Sequence, residues 1–176
     1  MILKLANMKT ESKNLLKPVL EQIINNTTSW IGTRTSDNEN VITGQTFIVP
    51  SAGEVTSIEI FSNAITRPGK LTLTLHKIDT QQQSWGDALG SSVVDIRNSE
   101  SGKWVAFGLQ NTKVDKGQTY GFKLHSADGF IGIGEGVGTH IKPLPGDGQE
   151  WQFTKNNAAG KCFSYFSLAF KVAVRA

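Results

Sequence analysis

The 176-residue sequence is poor in the residues that staple or anchor a chain. It has one cysteine, so no internal disulfide can form. None is needed, because a domain of this length buries roughly 70% of the surface its unfolded chain would expose. Cys162 stands just before a strongly apolar stretch, with no Cys-x-x-Cys partner and no flanking base. It is read as a buried, inert thiol. Runs of one charge are also missing. The 18 Lys and Arg are scattered and nearly balanced by 15 Asp and Glu, for a net charge of +3. Nucleic-acid binding through a basic stripe is therefore not expected. No segment approaches the ~20 apolar residues of a membrane span, so no membrane insertion is expected. The apolar start, Met1 to Lys9, is short and broken by Lys4, and it does not read as an export signal. Without such a signal the Asn-x-Thr matches at Asn25 and Asn26 carry no weight.

What is abundant is turn chemistry: 18 Gly and five Pro, with many Thr and Ser. That composition, with no helical period beyond the first residues, points to an all-β chain. Residues 10 to 26 differ from the rest. Leu15, Leu16, Val19, Leu20, Ile23 and Ile24 recur at helical spacing, with Lys13, Lys17, Glu21 and Gln22 on the other side. A short amphipathic helix is expected near 13–26, with Pro18 tolerated at its first regular position. It would either cap the sandwich or join copies of the chain as a homo-oligomer. Trp30, following it, is read as the seal between helix and sandwich.

From Gly44 the period becomes two. Strands are expected at Gly44–Pro50, Val55–Ser62, Lys70–His76, Leu89–Ile96, Trp104–Phe107, Thr119–His125, Phe130–Gly134 and Tyr165–Arg175, with a short one at Glu150–Thr154. Gln81 to Asp87 reads as a polar loop, and Glu135 to Asp147 as the longest irregular one. Eight or nine strands without intervening helices imply an antiparallel two-sheet β-sandwich. The expected organisation is an N-terminal segment, 1–41, followed by a sandwich domain, 42–176.

Two stretches, Ser101-Gly102-Lys103-Trp104-Val105-Ala106-Phe107 and Val114-Asp115-Lys116-Gly117-Gln118-Thr119-Tyr120, resemble the central hairpin of jelly-roll modules of the carbohydrate-binding type. These modules occur in bacterial surface and secreted proteins and in phage fibres. Gly44-Gln45-Thr46-Phe47 and Ser167-Leu168-Ala169-Phe170-Lys171-Val172 resemble the opening and closing strands of the same pattern. The resemblance spans about residues 42 to 175. It implies a jelly-roll sandwich with Trp104 and Tyr120 in its core, and non-catalytic glycan or surface binding outside the cell or on a virion. Such a resemblance concerns the fold first, and function must be argued from a site.

A sugar ring needs a flat aromatic face and a few polar groups. Trp85, in the Gln-rich loop, and Trp151, after the Gly- and Pro-rich loop, are the candidate platform if both are exposed on one side. Each is otherwise a packing residue. Asp128, Glu135, His140 and Asp147 would supply hydrogen bonds. Asp128, Glu135, Asp147 and Glu150 could also hold a structural Ca²⁺, although no compact Asp-x-Asp-x-Asp run is present. The three His lack zinc spacing, and His76 and His125 are placed on polar strand faces. No other cofactor is implied. A polysaccharide lyase could recruit His125, His140 and Lys142, but nothing in their spacing requires it. The Gly132-x-Gly134-x-Gly136-x-Gly138 series lacks the following helix and Lys-Ser/Thr of a phosphate loop. A ligand-binding module is thus expected rather than an enzyme, and an assembly protein joined through the helix is the alternative.

Overall fold

Side chains alternating between apolar and polar at every second position can bury one face only as strands, and strands dominate the chain. The computed structural model describes residues 16–138 and 148–176. It contains β1 (Leu20–Gln22), β2 (Thr27–Thr33), β3 (Asn40–Ile48), β4 (Gly53–Arg67), β5 (Gly69–Asp79), β6 (Ser84–Ile96) and β7 (Lys103–Gly108). There follow β8 (Lys113–Val114), β9 (Thr119–His125), β10 (Phe130–Val137), β11 (Glu150–Thr154), β12 (Asn157–Phe163), β13 (Phe166–Leu168) and β14 (Phe170–Arg175). One 3-10 turn, Asn98–Glu100, is the only helical piece among the described residues. No helix among them is long and apolar enough to cross a membrane.

All pairings are antiparallel, along the path β1-β14-β4-β10-β2-β3-β9-β5-β6. Strands β7 and β8 pair with the far edge of β4, β13 with β10, β11 with β3, and β12 with β11. One edge of the long strand β4 pairs first with β14, over Glu54–Ile60, and then with β10, over Ser62–Arg67. The sheet therefore changes partners along a single strand, which curls it. The curl brings β14, far from β3 and β9 along the hydrogen-bonded path, onto their inner face. There Phe170 meets Phe47 at 5.8 Å and Phe122 at 5.6 Å between ring centroids. These three rings are fully buried with Leu71, Leu73, Leu75, Ile58, Ile60 and Phe107. Each such side chain contributes about 1.5–3 kcal/mol by leaving water.

The two parts of the sheet are joined through a short stretch, Gly32↔Val41 and Thr33↔Asn40. Gly32 has φ +105°, and a Cβ there would collide with the Gly129 carbonyl. Only glycine accommodates both the left-handed backbone and the close crossing.

Several expectations are corrected. The helix near 13–26 is absent over residues 16–26, where Leu20–Gln22 pairs with Phe170–Val172. Residues 1–15 lie outside the described residues. The deciding partner is non-local. Pro18 has no N–H to give a helix, whereas the Val19 N–H reaches the Val172 carbonyl at 2.8 Å. The Gln22 side chain turns inward and donates to the carbonyls of Ile24, Ser167 and Leu168. Of the described apolar residues that suggested a helical stripe, Leu20 packs on the core, while Leu16, Val19, Ile23 and Ile24 are exposed. Residues 20–33, assigned to a segment preceding the sheet, supply two of its strands.

Trp104 is not in the core. It is half-buried on the outer face of β7, edge-on to Phe61 at 5.4 Å, while Val105 and Phe107 point inward. Trp30 sits in β2 and stacks on Phe130 at 5.0 Å, without a helix to seal. Strand β10 continues through Val137, past the point where an irregular loop was expected. The last strand is broken at Ala169: β13 serves β10, and β14 serves β4. Cys162 lies half-buried in β12, opposite Trp151.

Candidate functional site

The outer faces of β3, β9 and β5 carry almost no side-chain bulk at their centre. Gly44 of β3 lies opposite Trp151 of β11 on one side and Lys123 of β9 on the other. Gly121, two residues before Lys123, lies opposite His76 of β5. These two glycines leave bare backbone, and the Trp85 indole fills the space. A Cβ at Gly44 would stand 2.9 Å from the Trp85 ring, and one at Gly121 would stand 2.6 Å from it. Trp85 is not in a loop. It is the second residue of β6, opposite Ile78, in a strand that starts five residues earlier than the period-two pattern suggested, and its ring reaches back across β5.

Around that ring the aromatic side chains meet edge to face. Trp151 lies 6.0 Å from Trp85 at 83°, and Phe153 lies 5.5 Å from it at 85°. Trp151 and Phe153, two residues apart on β11, stand parallel at 6.1 Å. Such offset and edge contacts are favoured by the ring quadrupoles and contribute about 0.5–1.5 kcal/mol each beyond burial. Trp85 is half-buried, and Trp151 is 6% exposed. The indole nitrogens of both are shielded and have no hydrogen-bond partner among the described residues.

Polar groups frame the cluster. The Lys123 ammonium sits 4.2 Å over Phe153 and 4.9 Å over Trp85. Burial pushes its pKa below the usual lysine value. His76 Nδ1–H donates to the Gly86 carbonyl at 2.8 Å, and Nε2 accepts from the Thr74 hydroxyl at 2.7 Å. That assignment follows because a carbonyl can only accept. Burial, aided by the Lys123 charge, lowers the His76 pKa against the opposing Gly86 bond, so the ring stays neutral. It meets Trp85 edge-on at 5.7 Å. Two hollows flank the cluster. One, of about 320 Å³, lies against Phe153, Lys123 and Lys155. The other, of about 270 Å³, lies against Trp151, Gln83, Thr46 and Thr119. The surface can stack an apolar ring face and offer hydrogen bonds at both ends.

Of the described residues proposed for the ligand site, Trp85 and Trp151 are brought together, and Asp128 and Glu135 lie elsewhere. Asp128 serves the β9–β10 turn. Its Oδ1 accepts from the Lys70 N–H at 2.9 Å and from the Ser126 hydroxyl, and its carbonyl accepts from Arg67. Glu135 is buried on the inner side of β10. His140, Lys142 and Asp147 lie outside the described residues.

Glu135 meets Glu150 instead, in a buried polar cluster with Ser29, Thr43 and Gln45. Glu150 is 0% exposed, and its Oε1 accepts from the Ser29 hydroxyl at 2.8 Å. Its Oε2 has no hydrogen-bond partner among the described residues. Burial first, and then the Glu135 carboxyl, pushes the Glu150 pKa up to about 9. Two carboxyl groups this close and this dry do not both ionise, and burial raises the Glu135 pKa as well. Ca²⁺ needs six to eight oxygens. Of the four carboxylates weighed for it, Glu135 and Glu150 form this pair, Asp128 serves the β9–β10 turn, and Asp147 lies outside the described residues.

Phe153, Lys123, Gly44 and Gly121 escaped the sequence reading. Phe153 at two residues from Trp151 was a readable signal, since alternation places both on one face. The glycine floor was not readable, because it depends on the register of three strands. A second aromatic surface lies on the outer face of β4 and β7. There Phe61 and Trp104 line a hollow of about 500 Å³ with Glu21, Asn25 and Lys171, whose ammonium covers the Trp104 ring at 4.0 Å. No protein-family profile and no curated protein matches this chain.

Proposed function

We propose that this chain is a non-catalytic carbohydrate-binding module, its curled sheet a jelly-roll sandwich, with the glycan taken on the outer face of β3, β9 and β5 around Trp85. The observation that carries this reading is the half-exposed Trp85 indole seated on Gly44 and Gly121, braced by Trp151 and Phe153 and flanked by two hollows. A pyranose presents C–H groups on its faces and hydroxyls around its rim. An aromatic surface with amide, hydroxyl and ammonium groups at its margins complements both. Trp151 braces the platform rather than forming its exposed face, because it is nearly covered. Such a module works outside the cell or on a virion, where glycans are displayed. The assembly reading drew on a helix near 13–26, and residues 20–22 form a strand.

A glycan array followed by titration of each hit tests the proposal. Trp85→Ala is expected to reduce affinity at least tenfold while the fold, followed by circular dichroism, is retained. Trp151→Ala is expected to reduce affinity and also to lower the melting temperature. Absence of binding to any glycan, or undiminished binding by a folded Trp85→Ala protein, overturns the proposal.

A further inference from the structure

We infer that the glycan taken at the Trp85 face is acidic, its anionic substituent seated between Lys123 and Lys155 in the hollow beside Phe153. This rests on the carbohydrate reading above and deepens it. The two hollows flanking the aromatic cluster differ in charge. The one beside Trp151 is lined by Thr46, Thr119, Gln83, Gln149, Thr80 and apolar side chains, with no ionised group. The one beside Phe153 is lined by Lys123 and Lys155 with Asn40, Thr154, Ile42 and Ala158, and by no Asp or Glu.

Lys123 makes no salt bridge among the described residues. The nearest acidic residue in sequence to this hollow's lining, Glu39, is engaged by Arg34 at 2.6 Å. The Lys123 ammonium is held instead over the Phe153 and Trp85 rings. Aromatic faces attract a cation, but they do not neutralise it. A half-buried ammonium without a counter-charge gains when an anion arrives, and its partial desolvation strengthens that contact. Burial depressing the Lys123 pKa agrees with a charge lacking compensation. A sugar ring stacked on the exposed part of Trp85 brings a ring substituent to the Lys123 side, because Lys123 lies beside that ring. A carboxylate or a sulfate there accepts hydrogen bonds from both ammonium groups. The neutral hollow then receives hydroxyls or an adjoining neutral sugar.

Matched pairs test this with the full chain. Polygalacturonate is compared with its fully methyl-esterified form, and dextran sulfate with dextran, by titration at low and physiological salt. The expected result is at least tenfold tighter binding to an acidic member than to its neutral counterpart. That preference should weaken as salt rises and fall to the neutral level in Lys123→Met/Lys155→Met. The pair that responds tells a carboxylate from a sulfate. Lys171→Met, on the opposite face over Trp104, controls for general charge attraction and should keep the preference. Binding of neutral and acidic members alike overturns the inference and leaves the carbohydrate reading standing. The inference is equally overturned by acidic binding that survives the Lys123/Lys155 change, or that Lys171→Met weakens as much. Failure to bind any glycan, in this set or on the array, overturns both. Melting temperatures of the variants establish that each is folded.

Discussion

The inner and outer faces of β3, β9 and β5 belong to the same strands and obey different rules. On the inner face β9 and β5 carry bulky apolar side chains at alternate positions, Phe122, Leu124, Leu73 and Leu75, and β3 adds Phe47, all fully buried. The fold depends on them, because β14 closes over that face through Phe170. On the outer face the equivalent central positions are Gly44 and Gly121, and the covering ring is borrowed from β6. A core made of its own side chains is self-sufficient. A surface left open by glycine and covered by one indole can be changed without dismantling the sheet. Structure thus depends on the inner face, and the proposed recognition belongs to the outer one.

The contrast can be sharpened by perturbing each face in turn. The largest effect is expected on the inner face. Phe122→Ala leaves a cavity beside the Phe47 and Phe170 rings, and the loss should be about 3–5 kcal/mol in urea unfolding. A loss under about 1 kcal/mol would mean that the rings do not form the closing contact.

Next is the buried carboxyl pair that lines the inside near β10 and β11. The folded-state pKa of Glu150, about 9, lies above the ordinary 4.5. The native state therefore holds a proton that the unfolded chain releases above about pH 4.5. Stability from this group is fully present below that pH and falls as pH rises towards 9. Glu150→Gln keeps an acceptor for Ser29 and cannot ionise. It should flatten the pH profile between 5 and 9 and raise stability at pH 8. A profile unchanged by the substitution would show that the pair is not buried as described.

On the outer face, Gly121→Val suits a strand but occupies the space under the indole. Trp85 must move, for about 1–3 kcal/mol of lost stability, with red-shifted tryptophan emission and loss of glycan binding. Unaltered emission would show that Trp85 does not rest on Gly121. Smallest is Trp104→Ala on the other outer face. Its half-buried ring should be removable with no change in glycan affinity, and a drop in affinity would move the site to the Phe61–Trp104 surface.

The sequence displayed the strands with a strong period of two, because the core side of β5, β9 and β14 is continuous in Leu71-x-Leu73-x-Leu75, Tyr120-x-Phe122-x-Leu124 and Phe170-x-Val172-x-Val174. Strand β1 was hidden because Leu20 and Ile24, with Val19 and Ile23, fit a helix equally well. What decided was the open edge of β14, a non-local partner. Trp104 was misplaced because β7 offers large residues to both faces, and only its register against β4, with Trp104 opposite Phe61, fixes which side is inside. Trp85 and Trp151 could be suspected from their polar surroundings. Their meeting could not, since it depends on β11 pairing with β3 while β6 lies three strands beyond β3.

The four tryptophans give separate indole N–H signals in an NMR spectrum, and two of them, Trp85 and Trp151, sit in the outer-face cluster. Titration with the glycan selected by the array should shift the Trp85 and Trp151 signals together and leave Trp30 and Trp104 in place. Shifts confined to Trp104 or Trp30, with Trp85 still, would contradict recognition on the glycine-floored face.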